Sequence, residues 1–274
     1  MSPILPPGWT TAAAPSGPDW DCANWRSVEW AVAVTTDGAL KIRPSTRDMS
    51  DPLPFSIDPE PTALSKKTGF TDLDFAGRRH VLPVSDGLIV GFDKGEFGGR
   101  AFWFSKDGRQ HQVLSPFPEP ASIDDIHAEN VHALVRHGED ILAFEGLAHL
   151  GMDEGRVLRI HRGDDGQWRA TIFATLRGAP EAIAFEPPAR WLVAVPKGII
   201  RLYDDGRVED VWSERYLGIL YPTSAARLFD GSTFFGMRHF VLRLRPRASS
   251  YEVDILVPPG CSVTRCACSK SVSR

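Results

Sequence analysis

The sequence predicts an all-β fold, a β-propeller of five or six blades of four antiparallel strands, and three observations predict it. The first is the stretch EAIAFEPPARWLVAVPKGIIRLYDDGRVEDVW from Glu181 to Trp212. It holds four short apolar runs, Ala182–Phe185, Trp191–Val195, Ile199–Tyr203 and Val208–Trp212, each closed by a turn. Four strands within about thirty residues make one blade. The second is a repeat. Gly38, Gly87, Asp140, Arg190 and Gly231 each mark the turn before a second apolar run, in steps of 49, 53, 50 and 41 residues. Such a period belongs to blades that bury their faces against neighbours. The third is the set of Asp-Gly pairs at 37, 86, 107, 165, 205 and 230, all of which fall between apolar runs. These pairs supply the positive-φ residues of a tight hairpin.

Taken in order, residues 1–20 carry Pro3, Pro6, Pro7, Pro15 and Pro18 without periodicity and read as an extended arm outside the core. The single propeller domain is expected over 21–259, and 260–274 is a polar tail holding Cys261, Cys266 and Cys268. From Val28 a strand, the turn Thr35–Gly38 and a second strand make the first blade-like unit. Residues 44–68 are rich in Pro, Ser and Asp and predict an irregular connection with at most one short strand near Pro54–Ile57. The second unit begins near His80 and the third at Asn130. The stretch quoted above is the fourth, and the fifth runs from Thr223 to Val257. Helical spacing is weak throughout, with Ile123–Leu134 the one segment that allows a helix. A sheet left open exposes an edge, so the first-strand region is expected to close against Tyr251–Val257. Removal of residues 1–20 is therefore expected to be tolerated, and removal from Ser249 onward to unfold the protein.

Composition narrows the function classes. With 31 Lys and Arg against 35 Asp and Glu the formal net charge is −4, without long runs of one sign. The basic footprint of a nucleic-acid binder is missing. No apolar run approaches the twenty or so residues of a spanning helix. The first residues lack the basic and apolar regions of a secretory signal, which points to the cytoplasm. The cysteine spacing C-x4-C-x-C departs from a zinc ribbon, so free or surface thiols are the preferred reading over a disulfide or a metal site.

The units resemble those of the NHL and gluconolactonase-type propellers, at the level of pattern over residues 28–257. The Gly-His and Trp-Asp pairs of WD40 repeats are missing, and the Gly-Gly of kelch is not repeated. Placing the first strands in register makes Glu29, Arg78, Asn130, Glu181 and Thr223 equivalent. In gluconolactonase-like propellers, Glu, Asn and Asp at the channel mouth hold a divalent cation that polarises a lactone carbonyl. The resemblance therefore implies Glu29, Asn130 and Glu181 as ligands of calcium or another divalent cation. Arg78 in the same ring opposes this, because a guanidinium takes up carboxylate charge.

The loops after the second strands offer further candidates. Glu145 and His149 can form an acid–base pair. Asp93, Asp153, Glu154, Met237, Arg238 and His239 join Arg78, Glu145 and His149 on the expected binding face. Two readings follow: a non-catalytic, monomeric module that recognises a protein partner, of the immunity or inhibitor class, and a metal-dependent lactonase or esterase. The first is preferred on the sequence, since no repeated catalytic pattern survives the alignment.

Overall fold

A computed structural model of the chain describes residues 5–14, 28–45, 50–61, 66, 73–117, 129–149, 151–213, 217, 220–248, 250–262 and 267–268. In chain order the strands open with β1 (Thr10–Ala13), β2 (Trp30–Val34), β3 (Leu40–Pro44), β4 (Glu60–Pro61) and β5 (Leu73–Asp74). Four meanders follow. They are β6 (Arg78–Val84), β7 (Gly87–Asp93), β8 (Ala101–Ser105) and β9 (His111–Val113); then β10 (Asn130–His137), β11 (Asp140–His149), β12 (Met152–Arg162) and β13 (Trp168–Leu176). Next are β14 (Ala182–Glu186), β15 (Arg190–Val195), β16 (Gly198–Tyr203) and β17 (Val208–Trp212), then β18 (Ser224–Arg227), β19 (Thr233–Gly236), β20 (Val241–Pro246) and β21 (Tyr251–Val257). The pair β22 (Cys261–Ser262) and β23 (Ala267–Cys268) ends the described chain.

Each meander is a four-stranded antiparallel sheet with its strands in sequence order. The fold is thus the predicted β-propeller, built from blade-type sheets. The residues placed in register as blade starts fall at the heads of the first strands or one residue before them, at 30, 78, 130, 182 and 224. The turn chemistry explains the hairpins. Gly38, Gly108, Gly166, Gly206 and Gly231 all have positive φ. The preceding Asp107, Asp165, Asp205 and Asp230 accept the backbone N–H two residues on, as turn aspartates do. Gly87 differs. It opens β7, and a Cβ there would lie 1.9 Å from the Phe104 carbonyl oxygen.

The chain divides into two compact units, 1–47 with 181–274, and 48–180. In the first, the two-stranded pair β2–β3 neighbours the β18–β21 blade, which in turn neighbours β14–β17. Its cores are aliphatic and aromatic, around Leu192, Leu217, Phe235, Leu242 and Ile255, and around Trp30, Phe234 and Val241. The N-terminal arm is extended, and over Thr10–Ala13 it adds a fifth strand to the outer edge of β21, pairing Thr10 with Val257. Trp9 stands edge-on to Trp30 at 5.0 Å. The partner on the outer edge of Tyr251–Val257 is therefore this arm, rather than the first-strand region.

In the second unit the β6–β9 blade neighbours β10–β13. Ile89, Val131, Ile141 and Ile160 fill the space between these sheets, and Phe75, Phe92, Phe102 and Phe104 form a second cluster. Gly91 lets the sheets approach, since a Cβ there would meet Val131 Cγ1 at 2.2 Å.

Three sequence expectations change. Asn130–Leu134 is strand, not helix: Asn130, Val131, Ala133 and Leu134 pair with β11. The helix expected over 123–128 lies outside the described residues. Pro54–Ile57 is not a strand, and the short pairing of this region is β4 with β5. Cys261 is disulfide-bonded, which overturns the preference for free thiols there; Cys266 lies outside the described residues. No helix among the described residues is long and apolar enough to cross a membrane.

Candidate functional site

Ionisable groups that the blades do not need for packing gather at one end of the second unit. It is the end where β6 and β10 begin and β7 and β11 finish. Arg78 and Asp93 are cross-strand partners there, and the Arg78 Nη2 donates to Asp93 Oδ2 at 2.6 Å. Asp93 Oδ1 accepts the Gly95 N–H at 2.9 Å. Asn130, at the head of β10, pins the same loop: its Oδ1 accepts the Lys94 N–H at 2.9 Å and its Nδ2 donates to the Gly95 carbonyl at 2.6 Å.

A bulge sets His132. Val131 faces Glu145 and Ala133 faces Phe144, so His132 is the extra residue, and a bulge re-aims the side chain it carries. His132 Nε2 donates to the Gly146 carbonyl at 3.3 Å, and Nδ1 lies 3.9 Å from Asp93 Oδ2. Burial holds both nearby imidazoles neutral: it depresses His80 to about 4, with Arg78 adding to the effect, and lowers His132 in the same way. Burial alone raises Asp93, but His132 and Arg78 outweigh it and its carboxyl stays below the usual range.

Beside this network, two buried carboxyls share one arginine. Arg156 lies opposite Glu145 across the β11–β12 hairpin, with Nε 3.6 Å from Glu145 Oε2 and Nη2 2.5 Å from Glu129 Oε1. The Phe117 ring covers the guanidinium at 4.6 Å. Burial pushes Glu145 up to about 8 against the pull of Arg156, with the Glu129 charge assisting. Burial raises Glu129 as well, Arg156 opposing it and Glu154 adding to it. One guanidinium cannot match two buried carboxylates, so a proton stays on the pair.

A contrast in the first unit shows what a fully matched carboxylate looks like. Glu186 accepts from Arg201 Nε at 2.8 Å, lies 3.3 Å from Arg190 and 3.4 Å from Arg227, and takes the Tyr251 hydroxyl. Burial raises it, but these partners win and hold it below the usual carboxylate range.

The structure brings together Arg78 with Asp93, and Glu145 with Arg156 and Glu129. It separates Glu145 from His149. Both lie on β11, four residues apart, about 13 Å along a strand, and His149 Nδ1 is 3.6 Å from Glu96 Oε2. The expected acid–base pair is not formed, because the supposed loop is strand: His149 pairs with Met152 and Glu145 with Arg156. Asp153 accepts the Ala179 N–H at 3.0 Å, and Glu154 is exposed. Met237 is fully buried in the first unit's core and leaves the expected binding face. Arg238 pairs with Glu29 at 3.0 Å and lies over the Tyr221 ring at 4.1 Å. His239 has φ 74° and donates its N–H to the Val28 carbonyl at 3.0 Å.

The ligand set implied for a divalent cation does not fit one. Glu29 is neutralised by Arg238, both amide atoms of Asn130 are bonded to loop backbone, and Glu181 sits ahead of β14 in the first unit, its N–H on the Ala194 carbonyl at 2.8 Å. Among the described residues no group of three or more His, Cys, Asp or Glu is arranged to hold a metal ion.

Sequence reasoning missed Glu129, His132 and Arg156. The bulge leaves no mark in residue type. Arg156 depends on the hairpin register, in which 149 pairs with 152 and hence 145 with 156.

No family model matches the chain, and no curated protein does. Among solved structures, a streptogramin B lyase is similar at TM-score 0.44 and 14% identity, over 92% of this chain and 73% of its own. A gluconolactonase from Xanthomonas campestris gives TM-score 0.41 and 14% identity over 85% and 78%. A glucose dehydrogenase gives 0.39 and 12% over 61% and 59%, so the chain spans less than two thirds of that protein. At these scores none of the similarities bears on activity.

Proposed function

We propose that the chain is a propeller enzyme that cleaves a small oxygen ester, lactones included, by hydrolysis at the Glu129–Glu145–Arg156 end of the second unit. One observation carries the reading. Two buried carboxyls share a single arginine, and one of them keeps its proton near neutrality. An uncompensated buried pair costs stability, and perturbed groups of this kind mark sites of proton transfer. Water adds to the carbonyl carbon while Arg156, oriented by Glu129, offers N–H groups to the carbonyl oxygen; the ester C–O bond then breaks as Glu145 gives its proton to the leaving oxygen, and the proton lost by the water returns to Glu145. No step uses a metal. The test is a screen of lactones and aryl esters with the unaltered chain and Glu145→Gln. Loss of roughly 10²-fold or more in kcat/KM, as removal of a general acid gives, supports the reading; equal turnover by both proteins rejects it.

A second reading, a module that binds a protein partner, is favoured by a different observation. Phe97 is 69% exposed and Met152 51% exposed on neighbouring loops that the Glu96–His149 contact links. Exposed apolar side chains at one place suit a partner. Co-purification lost in Phe97→Asp, with esterase activity absent throughout, would favour it. For location, the bonded Cys261 speaks for an oxidising compartment over the cytoplasm expected from the first residues.

A further inference from the structure

The Glu129 carboxylate is half used. Glu129 is only 6% exposed. Its Oε1 meets Arg156 at 2.5 Å, while its Oε2 is buried and has no hydrogen-bond partner among the described residues. A buried carboxylate oxygen without a donor costs as much as a lost charged hydrogen bond, and such atoms are few in folded proteins. The surroundings specify what would fill the gap. Glu145 stands on the other side of Arg156, its Oε2 3.6 Å from Nε, and Glu154 adds negative field at Glu129. Two carboxyl groups thus face one guanidinium, and the Phe117 ring covers that guanidinium at 4.6 Å.

An anion is excluded by the local charge. A divalent metal fits poorly, because Arg156 lies within hydrogen-bond distance of the carboxylate that would hold it. A nitrogen cation with N–H groups satisfies both needs at once: it donates to the empty oxygen and supplies the positive charge that holds Glu129 ionised.

We infer that Glu129 forms the anchoring half of a binding site for a compact cationic nitrogen, a primary ammonium group carried by the substrate. The inference rests on the reading of this end of the second unit as the ligand site, and it narrows the substrate to amine-bearing esters or lactones. Glu129 is here a positioning residue and Arg156 remains free to polarise the reacting oxygen.

The probe is methylammonium chloride, titrated into the full chain at constant ionic strength and followed by calorimetry, with tetramethylammonium chloride as the control that carries charge but no N–H. Methylammonium is expected to bind and tetramethylammonium not to. Glu129→Gln should weaken methylammonium by about tenfold, the scale of one charge-assisted hydrogen bond, while the exposed Glu154→Gln should change it little. Equal binding of the two cations, or binding unchanged in Glu129→Gln, overturns the inference. Should Glu129→Gln fail to fold, carboxyl carbon chemical shifts of the unaltered protein decide instead. Movement at Glu129 on adding methylammonium supports the site, and movement only elsewhere overturns it. Binding without turnover of any ester keeps the site and removes the catalytic reading. Turnover that methylammonium does not inhibit does the reverse.

Discussion

Asn130 shows how one residue type serves two purposes that a sequence does not separate. At the head of an innermost strand, an amide suits a cation ligand by resemblance. Here it closes the Asp93–Gly98 loop instead, accepting from one backbone group and donating to the next. Asn130 is 4% exposed, so Asn130→Ala strands the Lys94 N–H and the Gly95 carbonyl. Thermal unfolding should show a loss of roughly 1 to 3 kcal/mol, the cost of a buried polar group left unpaired. Calcium should leave the melting temperature of the unaltered protein where it was. A calcium-dependent rise that Asn130→Ala removes would restore the cation site. Glu145 was singled out as a loop residue after a second strand, but it lies inside β11. Its partners were not legible, since Arg156 depends on hairpin register and His132 on a bulge.

Elements were more legible than residues, because turn chemistry and alternation are local. The Asp-Gly pairs placed five hairpins through positive-φ glycines, and Gly87 through a close approach to Phe104. The edge strand was not legible. Thr10–Ala13 has no alternation of its own and becomes a strand only because β21 offers an unpaired edge. The expectation that the arm is dispensable changes with it. Deleting residues 1–14 removes β1 and takes Trp9 from Trp30. We expect a loss of roughly 2 to 4 kcal/mol, the scale of an aromatic side chain withdrawn from a core together with a paired edge. Chemical denaturation of the shortened chain measures it, and an unchanged midpoint would return the arm to the status of an appendage.

At the scale of the whole molecule the buried groups oppose one another, and their signs fix how stability depends on pH. His80 titrates near 6.5 when unfolded and about 4 when folded. The unfolded chain therefore takes up its proton first, and stability falls as pH drops from 6.5 toward 4. His132 acts in the same direction. Glu145 runs the other way: its ordinary value of 4.5 rises to about 8 in the fold. Its contribution is complete below 4.5 and is lost as pH climbs through 8, because the unfolded chain gives up that proton first. Each group acts at up to about 1.4 kcal/mol per pH unit. Between 4.5 and 6.5 the two slopes offset each other. Above 6.5 only Glu145, assisted by Glu129, remains, and stability declines. Below 4.5 the histidines are joined by Asp93 and Glu186, whose carboxyls are held low and whose support disappears as they protonate. A melting temperature plotted against pH should thus show a plateau on the mildly acidic side of neutrality, with a fall on either flank. Glu145→Gln keeps the shape of the protonated carboxyl and should flatten the alkaline flank, and it should tilt the plateau between 4.5 and 6.5, where the histidine slope is left less opposed. If that variant instead leaves the alkaline flank as steep as before, Glu145 does not carry the proton, and the acid assigned to catalysis is lost with it.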